Sequence, residues 1–167
     1  MTVINIPIHI GDNYISFPAT DHIESFETIF INSQIKNSIL DFTKYDPILQ
    51  KTVSINYLYD HIEEGIGYYI YSISEGNITY DGIPYILTFS QFKSKIFNGW
   101  NLLATGDNTI VLPSWCYVID ANTRLNVTQL EPKKTYWINY YDCTKPVFNA
   151  ESVLYVIGAI GSILLTV

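Results

Sequence analysis

The side chains best suited to acid–base catalysis or metal binding are few and lie far apart in the sequence. The three histidines, His9, His22 and His61, form no His-x-x-x-His pair, and no Cys-x-x-Cys pair is present. Glu63 and Glu64 are adjacent, but neighbouring side chains of a strand point to opposite faces, so they cannot act together on one bond. Phosphate-loop, dinucleotide-binding and Gly-x-Ser-x-Gly motifs are also missing. We therefore expect no enzymatic activity, no cofactor and no metal ion.

Several turns carry side-chain oxygens of the kind that bind calcium. They contain Asp46, Asp107, Asn108, Asp120 and Asn122. Asp and Asn also form turns by hydrogen bonding to nearby backbone amides, and this structural role is the one we expect here.

Aromatic side chains are the more promising groups, since they make up 15% of the chain. Their density predicts that some are exposed, where they serve sugar stacking or protein interfaces equally well. Within the run from residue 68 to residue 71, alternation places Tyr69 and Tyr71 on one face of a strand and leaves open which face is buried. The candidate ligand or interface residues are Tyr69, Tyr71, Trp137 and Tyr140.

Composition indicates a folded β-protein with a packed core. Of 167 residues, 48% are apolar and 15% charged, and β-branched and aromatic types are common. The formal charge of −7, with nine scattered basic residues, argues against a nucleic-acid partner.

The two cysteines, Cys116 and Cys143, both lie in the second half of the chain. One pair does not make the disulfide framework of a small secreted domain. We expect two free buried thiols, with a single disulfide as the alternative.

The chain contains an internal duplication. Gly11 and Asn13 recur as Gly99 and Asn101, 88 positions later, and residues 62–70 recur as residues 130–138, 68 positions later. The pattern predicts an all-β fold made of two tandem small antiparallel modules, each resembling a sandwich or barrel. The first spans residues 1–83 and the second residues 84–146, followed by an apolar docking segment at residues 147–167.

Most of the difference between the two shifts comes from a helical insert expected in the first copy. Asp21 and Glu24 suggest a capping box, and Ile23, Phe26, Ile29 and Phe30 recur at helical spacing. Alternating apolar residues predict strands elsewhere, at residues 3–6, 14–17, 39–42, 52–55, 68–73, 78–80, 85–89, 100–103, 115–119, 125–127 and 136–140. We expect the turn at residues 45–47 to match the turn at residues 120–123.

Residues 153–167 contain no charged side chain. The run is shorter than the roughly 20 apolar residues of a membrane-spanning helix, and we do not expect a membrane anchor. A strand of the chain's own core and a segment buried against a neighbouring subunit remain alternatives. The residues proposed for assembly are Val153, Tyr155, Ile157, Ile160, Ile163 and Leu165.

The paired signature of a Gly-Trp-Asn-Leu strand and a later Leu-x-Pro-Gly-x-Gly-Tyr-Trp-Ile strand resembles a β-module found in tandem in bacterial and archaeal cell-surface proteins. Copy two carries the resemblance at Gly99, Trp100, Asn101, Leu102, Leu130, Pro132, Tyr136 and Trp137, and copy one at Gly11, Asn13, Gly65, Gly67, Tyr68 and, in part, Tyr69. It covers about residues 3–142. The resemblance implies a small β fold with aromatics in its core and a structural or adhesive role, without catalytic residues.

Three positions depart from the pattern of that module. Asp12 stands where Trp is typical, Glu64 replaces the proline, and Lys134 replaces a turn glycine.

Residues 1–7 show no basic stretch followed by a long apolar run, so we expect no export through a signal peptide. Three features together favour a virion structural protein: the expected lack of export, the duplicated module of the cell-surface type, and the apolar segment at residues 153–167. Such a protein would be a capsid decoration, spike or fibre-base subunit assembled in the host cytoplasm. Its partners would be other capsid subunits or further copies of itself. The alternative is a carbohydrate- or receptor-binding adhesion module at a cell surface, with exposed aromatics that contact a host glycan.

Overall fold

The computed structural model describes residues 1–20, 25–31, 33–114 and 116–143. Three short helices occur there, α1 (Phe26–Ile31), α2 (Phe89–Lys93) and α3 (Tyr140–Cys143), and Lys36–Ser38 form a 3₁₀ turn. The strands of this part of the chain are β1 (Thr2–Ile8), β2 (Gly11–Ser16), β3 (Ala19–Thr20), β4 (Ile39–Asp46), β5 (Lys51–Ser54), β6 (Gly67–Ser72), β7 (Gly76–Pro84), β8 (Trp100–Ala104), β9 (Ile110–Val111), β10 (Val118–Asp120), β11 (Asn126–Val127), β12 (Gln129–Leu130) and β13 (Thr135–Asn139).

All named strand pairs are antiparallel, and they form four sheets. The first half of the chain contributes the sheets β1-β7-β3 and β2-β6-β4-β5, and the second half contributes β11-β10-β13-β8 and β12-β9. The predicted all-β class is confirmed. Within the described ranges, none of the helices has the length and apolar character needed to cross a membrane.

The apolar side chains are buried in two clusters. One draws on residues 4–80 and includes Phe17 and Tyr68, whereas the other draws on residues 85–143 and includes Phe92 and Tyr136. Ile66 packs against both clusters. We call residues 1–83 module one and residues 84–143 module two.

The same asparagine-centred loop occurs in both modules. The Oδ1 atoms of Asn13 and Asn101 each accept a hydrogen bond from the backbone N–H four residues earlier, at 2.9 and 2.8 Å. Each side-chain amide donates to the carbonyls four and two residues earlier. Gly11 and Gly99 lie inside these loops with φ of 92° and 89°, a region that favours glycine.

A buried tyrosine also has the same partner in both modules. The Oη atoms of Tyr68 and Tyr136 accept a hydrogen bond from the backbone N–H five residues earlier, at 3.0 and 2.7 Å. In the preceding turns, Gly65 has φ +77° and Lys133 has φ 65°. The assignment of the missing turn glycine to Lys134 is therefore wrong, because Lys133 occupies the left-handed position.

The predicted match between two hairpin turns is confirmed. Asp46 Oδ1 and Asp120 Oδ1 each accept hydrogen bonds from the backbone N–H groups two and three residues later. Each turn then has a residue of positive φ, Gln50 at 50° and Arg124 at 62°. These carboxylates therefore shape turns, as Asx residues commonly do.

The helical insert of module one is present, and its apolar stripe packs inward. Phe26, Ile29 and Phe30 of α1 are buried in the first core, as their spacing predicted. The proposed cap residues Asp21 and Glu24, with Ile23 and His22, lie outside the described residues. So does the predicted apolar segment at residues 147–167, with its assembly residues Val153, Tyr155, Ile157, Ile160, Ile163 and Leu165.

Two strand predictions around the module boundary are wrong. β7 does not end at residues 81 and 82 but continues to Pro84, where it pairs with β3. The strand predicted at residues 85–89 is absent, since Phe89 begins α2. Thr88 and Gln91 form a capping box that favours the helix, because each side chain accepts the other's backbone N–H.

The expected free thiols are also contradicted. Cys116 and Cys143 form a disulfide with 4.3 Å between their Cα atoms, although 27 residues separate them. Cys116 precedes β10 and Cys143 lies in the helix that follows β13. Since these strands are paired, the sheet brings the cysteines together.

Candidate ligand-binding groove between the two modules

The side chains of β6 alternate between the first core and the outer face. Tyr68 and Ile70 are fully buried, whereas Tyr69 is half-buried and Tyr71 is exposed. Of the two arrangements that the sequence allowed, the structure has the one that turns Tyr69 and Tyr71 outward.

Aromatic rings from the two modules meet on these outer faces. Trp137 of β13 lies edge-on to Tyr45, with 5.1 Å between ring centroids, and to Tyr14 at 6.3 Å. Tyr14 in turn lies 5.4 Å from Tyr69. We call Tyr14, Tyr45, Tyr69, Trp100 and Trp137 the aromatic groove. Because its rings belong to both modules, neither module contains the groove alone.

The tryptophans differ from what the resemblance implied. Its aromatics were expected to fill the cores, and Tyr68 and Tyr136 do so. Trp100 is instead 41% exposed and Trp137 is half-buried, and both face the groove.

Two adjoining cavities lie along the aromatic groove. The first, the apolar cavity, has a volume of about 400 Å³ and is lined by Tyr45, Trp100, Ile119, Arg124 and Trp137. The second, the acidic cavity, has a volume of about 270 Å³ and shares Tyr45 and Trp137 with the first. Together they are large enough for a small organic ligand.

Two carboxylates give the acidic cavity its character. Asp12, Tyr71 and Asp41 lie side by side across β2, β6 and β4. The Tyr69 hydroxyl donates a hydrogen bond to Asp12 Oδ1 at 2.6 Å, and this bond is the main reason why the pKa of Tyr69 is raised. The hydroxyl is therefore held as a protonated donor.

The cations near the groove are engaged with other groups. Lys44 Nζ is ion-paired with Glu63. The Arg124 guanidinium lies 5.2 Å from the centre of the Tyr14 ring, and its Nη2 donates to Tyr14 Oη at 3.2 Å. Arg124 thus lines the apolar cavity and contacts Tyr14, a residue of the acidic cavity.

Two buried polar atoms of residues that line the groove lack a hydrogen-bond partner among the described residues. Trp137 Nε1 and Thr43 Oγ1 are buried and make no hydrogen bond with the described residues. Both residues line the acidic cavity. Buried unpaired polar atoms cost about 1–3 kcal/mol each, so they are uncommon away from functional sites.

Reciprocal contacts from the hairpin turns hold the modules against each other. Asn122 Oδ1 accepts from Tyr14 N at 3.0 Å, and its amide donates to Tyr14 O at 2.8 Å. Gln50 Oε1 accepts from Trp100 N at 2.9 Å, and its amide donates to Trp100 O at 3.1 Å. Each hairpin therefore satisfies both backbone polar groups of one residue in the other module.

Gly99 is needed for one of these contacts. A Cβ atom there would lie 2.5 Å from Gln50 Oε1, and the φ of 89° already disfavours other residues. Gly11, its counterpart, has nothing within 4 Å of the same position.

The other residues singled out from the sequence lie elsewhere. Tyr140 begins α3 and packs against the second core, and it lines neither cavity of the groove. His9 lines a separate cavity and His61 is exposed. Across the described ranges, no group of three or more His, Cys, Asp or Glu side chains is placed to hold a metal ion.

Several groove residues were not identified from the sequence. Tyr14, Tyr45, Asp12, Asp41 and Arg124 were not proposed as site residues. Alternation along β2 and β4 places Asp12 with Tyr14 and Asp41 with Thr43 on outer faces, which was a usable signal. No local pattern indicates that the facing module covers them.

No protein-family model, curated protein or solved structure matches this chain.

Proposed function

We propose that this chain is a non-enzymatic carbohydrate-binding module of the adhesion type, and that its ligand occupies the aromatic groove. The observation that supports this proposal most is the meeting of Tyr14, Tyr45 and Trp137 across the module interface beside two open cavities. Tyr and Trp combine a flat apolar face with a polar tip, which suits the apolar face and hydroxyl rim of a sugar ring.

The polar groups of the acidic cavity complement such a ligand. Asp12 and Asp41 supply acceptors for sugar hydroxyls, and Thr43 supplies a hydroxyl that lacks a partner. A few placed polar groups in a mainly aromatic pocket are typical of small-molecule sites.

The carboxylates are better placed for binding than for hydrolysis. Asp12 and Asp41 lie on the same face of one sheet, on either side of Tyr71. Glycoside hydrolysis needs one carboxyl group on each side of the scissile bond. Both carboxylates would contact a ligand from the same side, which supports a non-enzymatic role.

Binding to a glycan array, followed by calorimetry with the best ligand, tests the proposal. We expect Trp137→Ala to weaken binding at least about tenfold, because the ring joins both cavities. Trp100→Ala should weaken it as well and is less disruptive, since its hydrogen bonds to Gln50 come from the backbone.

The matched control is Tyr59→Ala, which removes a 75% exposed ring that lines neither cavity. It should bind like the unaltered protein. Unchanged affinity in folded Trp137→Ala and Trp100→Ala proteins would refute the groove as the binding site.

A virion structural subunit is the second candidate, located in the particle rather than at a cell surface. It is favoured by residues 153–167, which carry no charge and need an apolar environment. A defined oligomer of the full chain that dissociates when this segment is removed would support it.

A further inference from the structure

We propose that the acidic cavity binds an organic ammonium group, so that the carbohydrate is one with a free amine, an amino sugar. This inference rests on the proposed function and specifies its ligand. It follows from the arrangement of carboxylates and aromatic rings at one end of the groove.

Three side chains of neighbouring strands form a row on the outer face of the sheet. Asp12 pairs in register with Tyr71, and Tyr71 pairs with Asp41 on its other side. Residues directly opposite each other in neighbouring strands project from the same face. Two carboxylates that line the acidic cavity therefore lie on either side of an exposed tyrosine, which is beside the cavity and not part of its lining.

A second row closes the site on the side of the groove. Tyr14, Tyr69 and Thr43 are paired in the same way. The rings of Tyr14 and Tyr69 stand 5.4 Å apart, and Trp137 covers Tyr14 from the other module. Aromatic rings around a small volume, with acidic groups beside them, are a recurrent way to bind organic cations.

Among the described residues that line this cavity, the one positive side chain is already paired with another carboxylate. Lys44 lines it but is ion-paired with Glu63, and Asp41 has no ion pair with a described residue. Asp12 and Asp41 both raise the pKa of the Tyr69 hydroxyl, which is the effect of a negative potential at that atom. A ligand cation would be attracted to the two carboxylates and would reduce the repulsion between them.

An anionic ligand group fits this end poorly. It would face Asp12 and Asp41, whereas the Arg124 guanidinium lines the apolar cavity and is held against the ring and hydroxyl of Tyr14. A neutral sugar would satisfy hydroxyl contacts but would leave both charges uncompensated. The cavity therefore distinguishes sugars by the charge of one substituent.

Chitotriose and its fully de-N-acetylated counterpart form a suitable pair, because both have the same backbone and differ in acetylation of the nitrogen. We expect the deacetylated trimer to bind about tenfold more tightly, through charge-assisted hydrogen bonds to the carboxylates. Asp41→Asn should remove most of this preference, because losing the carboxylate charge weakens binding of the deacetylated trimer far more than binding of the acetylated trimer. The titrations are followed by calorimetry and by NMR shifts of the Asp12, Tyr69 and Tyr71 amides.

Asp81→Asn is the control for non-specific attraction to an acidic protein. Asp81 is exposed on the outer face of β7 and lines neither cavity. It changes the net charge as Asp41→Asn does, so the preference should survive in this variant. Equal loss in both variants would overturn the proposal, as would equal affinity of the two trimers.

The two proposals can fail separately. If a neutral glycan binds in a Trp137-dependent manner and the deacetylated trimer does not bind, the ammonium site is refuted while the carbohydrate function stands. If choline shifts the Tyr69 and Tyr71 amides in an Asp41-dependent manner but no carbohydrate binds, the cation site is supported and the carbohydrate function is refuted.

Discussion

Asn13 and Asn101 each close a loop with one side chain. Both are buried, and each amide group makes three hydrogen bonds to the backbone of the four preceding residues. An asparagine side chain can both accept and donate in this way, because it carries an acceptor oxygen and an NH₂ group with two donor hydrogens. The residue therefore recurs in both modules because its amide satisfies backbone groups at the start of each loop that the strands do not pair.

Asn101→Ala should lower the free energy of unfolding by about 2–4 kcal/mol, since the four hydrogen bonds of this buried side chain are lost. Asn101→Asp should be similarly damaging, because a carboxylate accepts from Phe97 N but cannot donate to the carbonyls of Phe97 and Gly99. Denaturant unfolding measures both changes.

Asn98→Ala serves as the reference for this pair. Asn98 is exposed three residues earlier, and only its backbone carbonyl is used, as an acceptor for Gln50. It should change stability by less than about 0.5 kcal/mol. A harmless Asn101→Asp would show that the donated bonds are not needed.

The hairpins are the elements that turn two modules into one binding surface. The hairpin of module one extends further beyond its neighbouring strand than the hairpin of module two. Tyr68 of β6 pairs with Lys44, two residues before the turn residue Asp46, whereas Tyr136 of β13 pairs with the turn residue Asp120 itself. Both hairpin tips nevertheless reach the strand that carries the asparagine loop of the other module. Gln50 contacts Trp100 of β8, and Asn122 contacts Tyr14 of β2. Two amide side chains thus connect the modules on which the groove lies.

The double variant Gln50→Ala with Asn122→Ala should loosen the interface without unfolding either core. We expect amide hydrogen exchange at Tyr14 and Trp100 to become about tenfold faster, because each loses the acceptor of its N–H. Exchange at residues paired inside one sheet, such as Ile70, should be unaffected. Ligand affinity should fall because the rings of the groove come from both modules.

A matched control is Gln129→Ala, which truncates an exposed glutamine of β12. It should leave exchange at Tyr14 and Trp100 unchanged. If the double variant also leaves exchange there unchanged, the tip amides do not set the groove.

On the scale of the whole molecule, the two cores touch through Ile66 and through the aromatic groove. Module two is also closed by the Cys116–Cys143 disulfide, which joins the segment before β10 to the helix after β13. Cys143 is fully buried, so the last described helix is fixed to the second core. Whatever follows residue 143 therefore starts from a defined point on module two.

The second candidate function makes a prediction at this scale. Light scattering after size-exclusion chromatography would compare the full chain with one that ends at Asn149. A structural subunit should give a defined oligomer that becomes a monomer on truncation, because residues 153–167 would be buried between copies. If both chains are monomers, the segment is not an assembly element, and the carbohydrate function is unaffected.

Much of the fold could be predicted because short stretches of sequence determine it. The strand class, the α1 stripe and the matched hairpin turns follow from alternation, helical spacing and Asx chemistry, all within a few residues. The helix α2 was equally local and was missed because apolar residues at 85–89 outweighed the Thr88–Gln91 cap signal.

The groove could not be predicted in this way. Alternation showed that Tyr69 and Tyr71 share a face, but the choice of face depends on the packing of α1 and the first core. The contacts that build the site join residues such as Tyr14 and Asn122, which are 108 positions apart. Local sequence determined the strands and turns of this protein because their hydrogen bonds close over a few residues. The tertiary structure alone decided the groove and the disulfide, because they depend on which surfaces pack against each other.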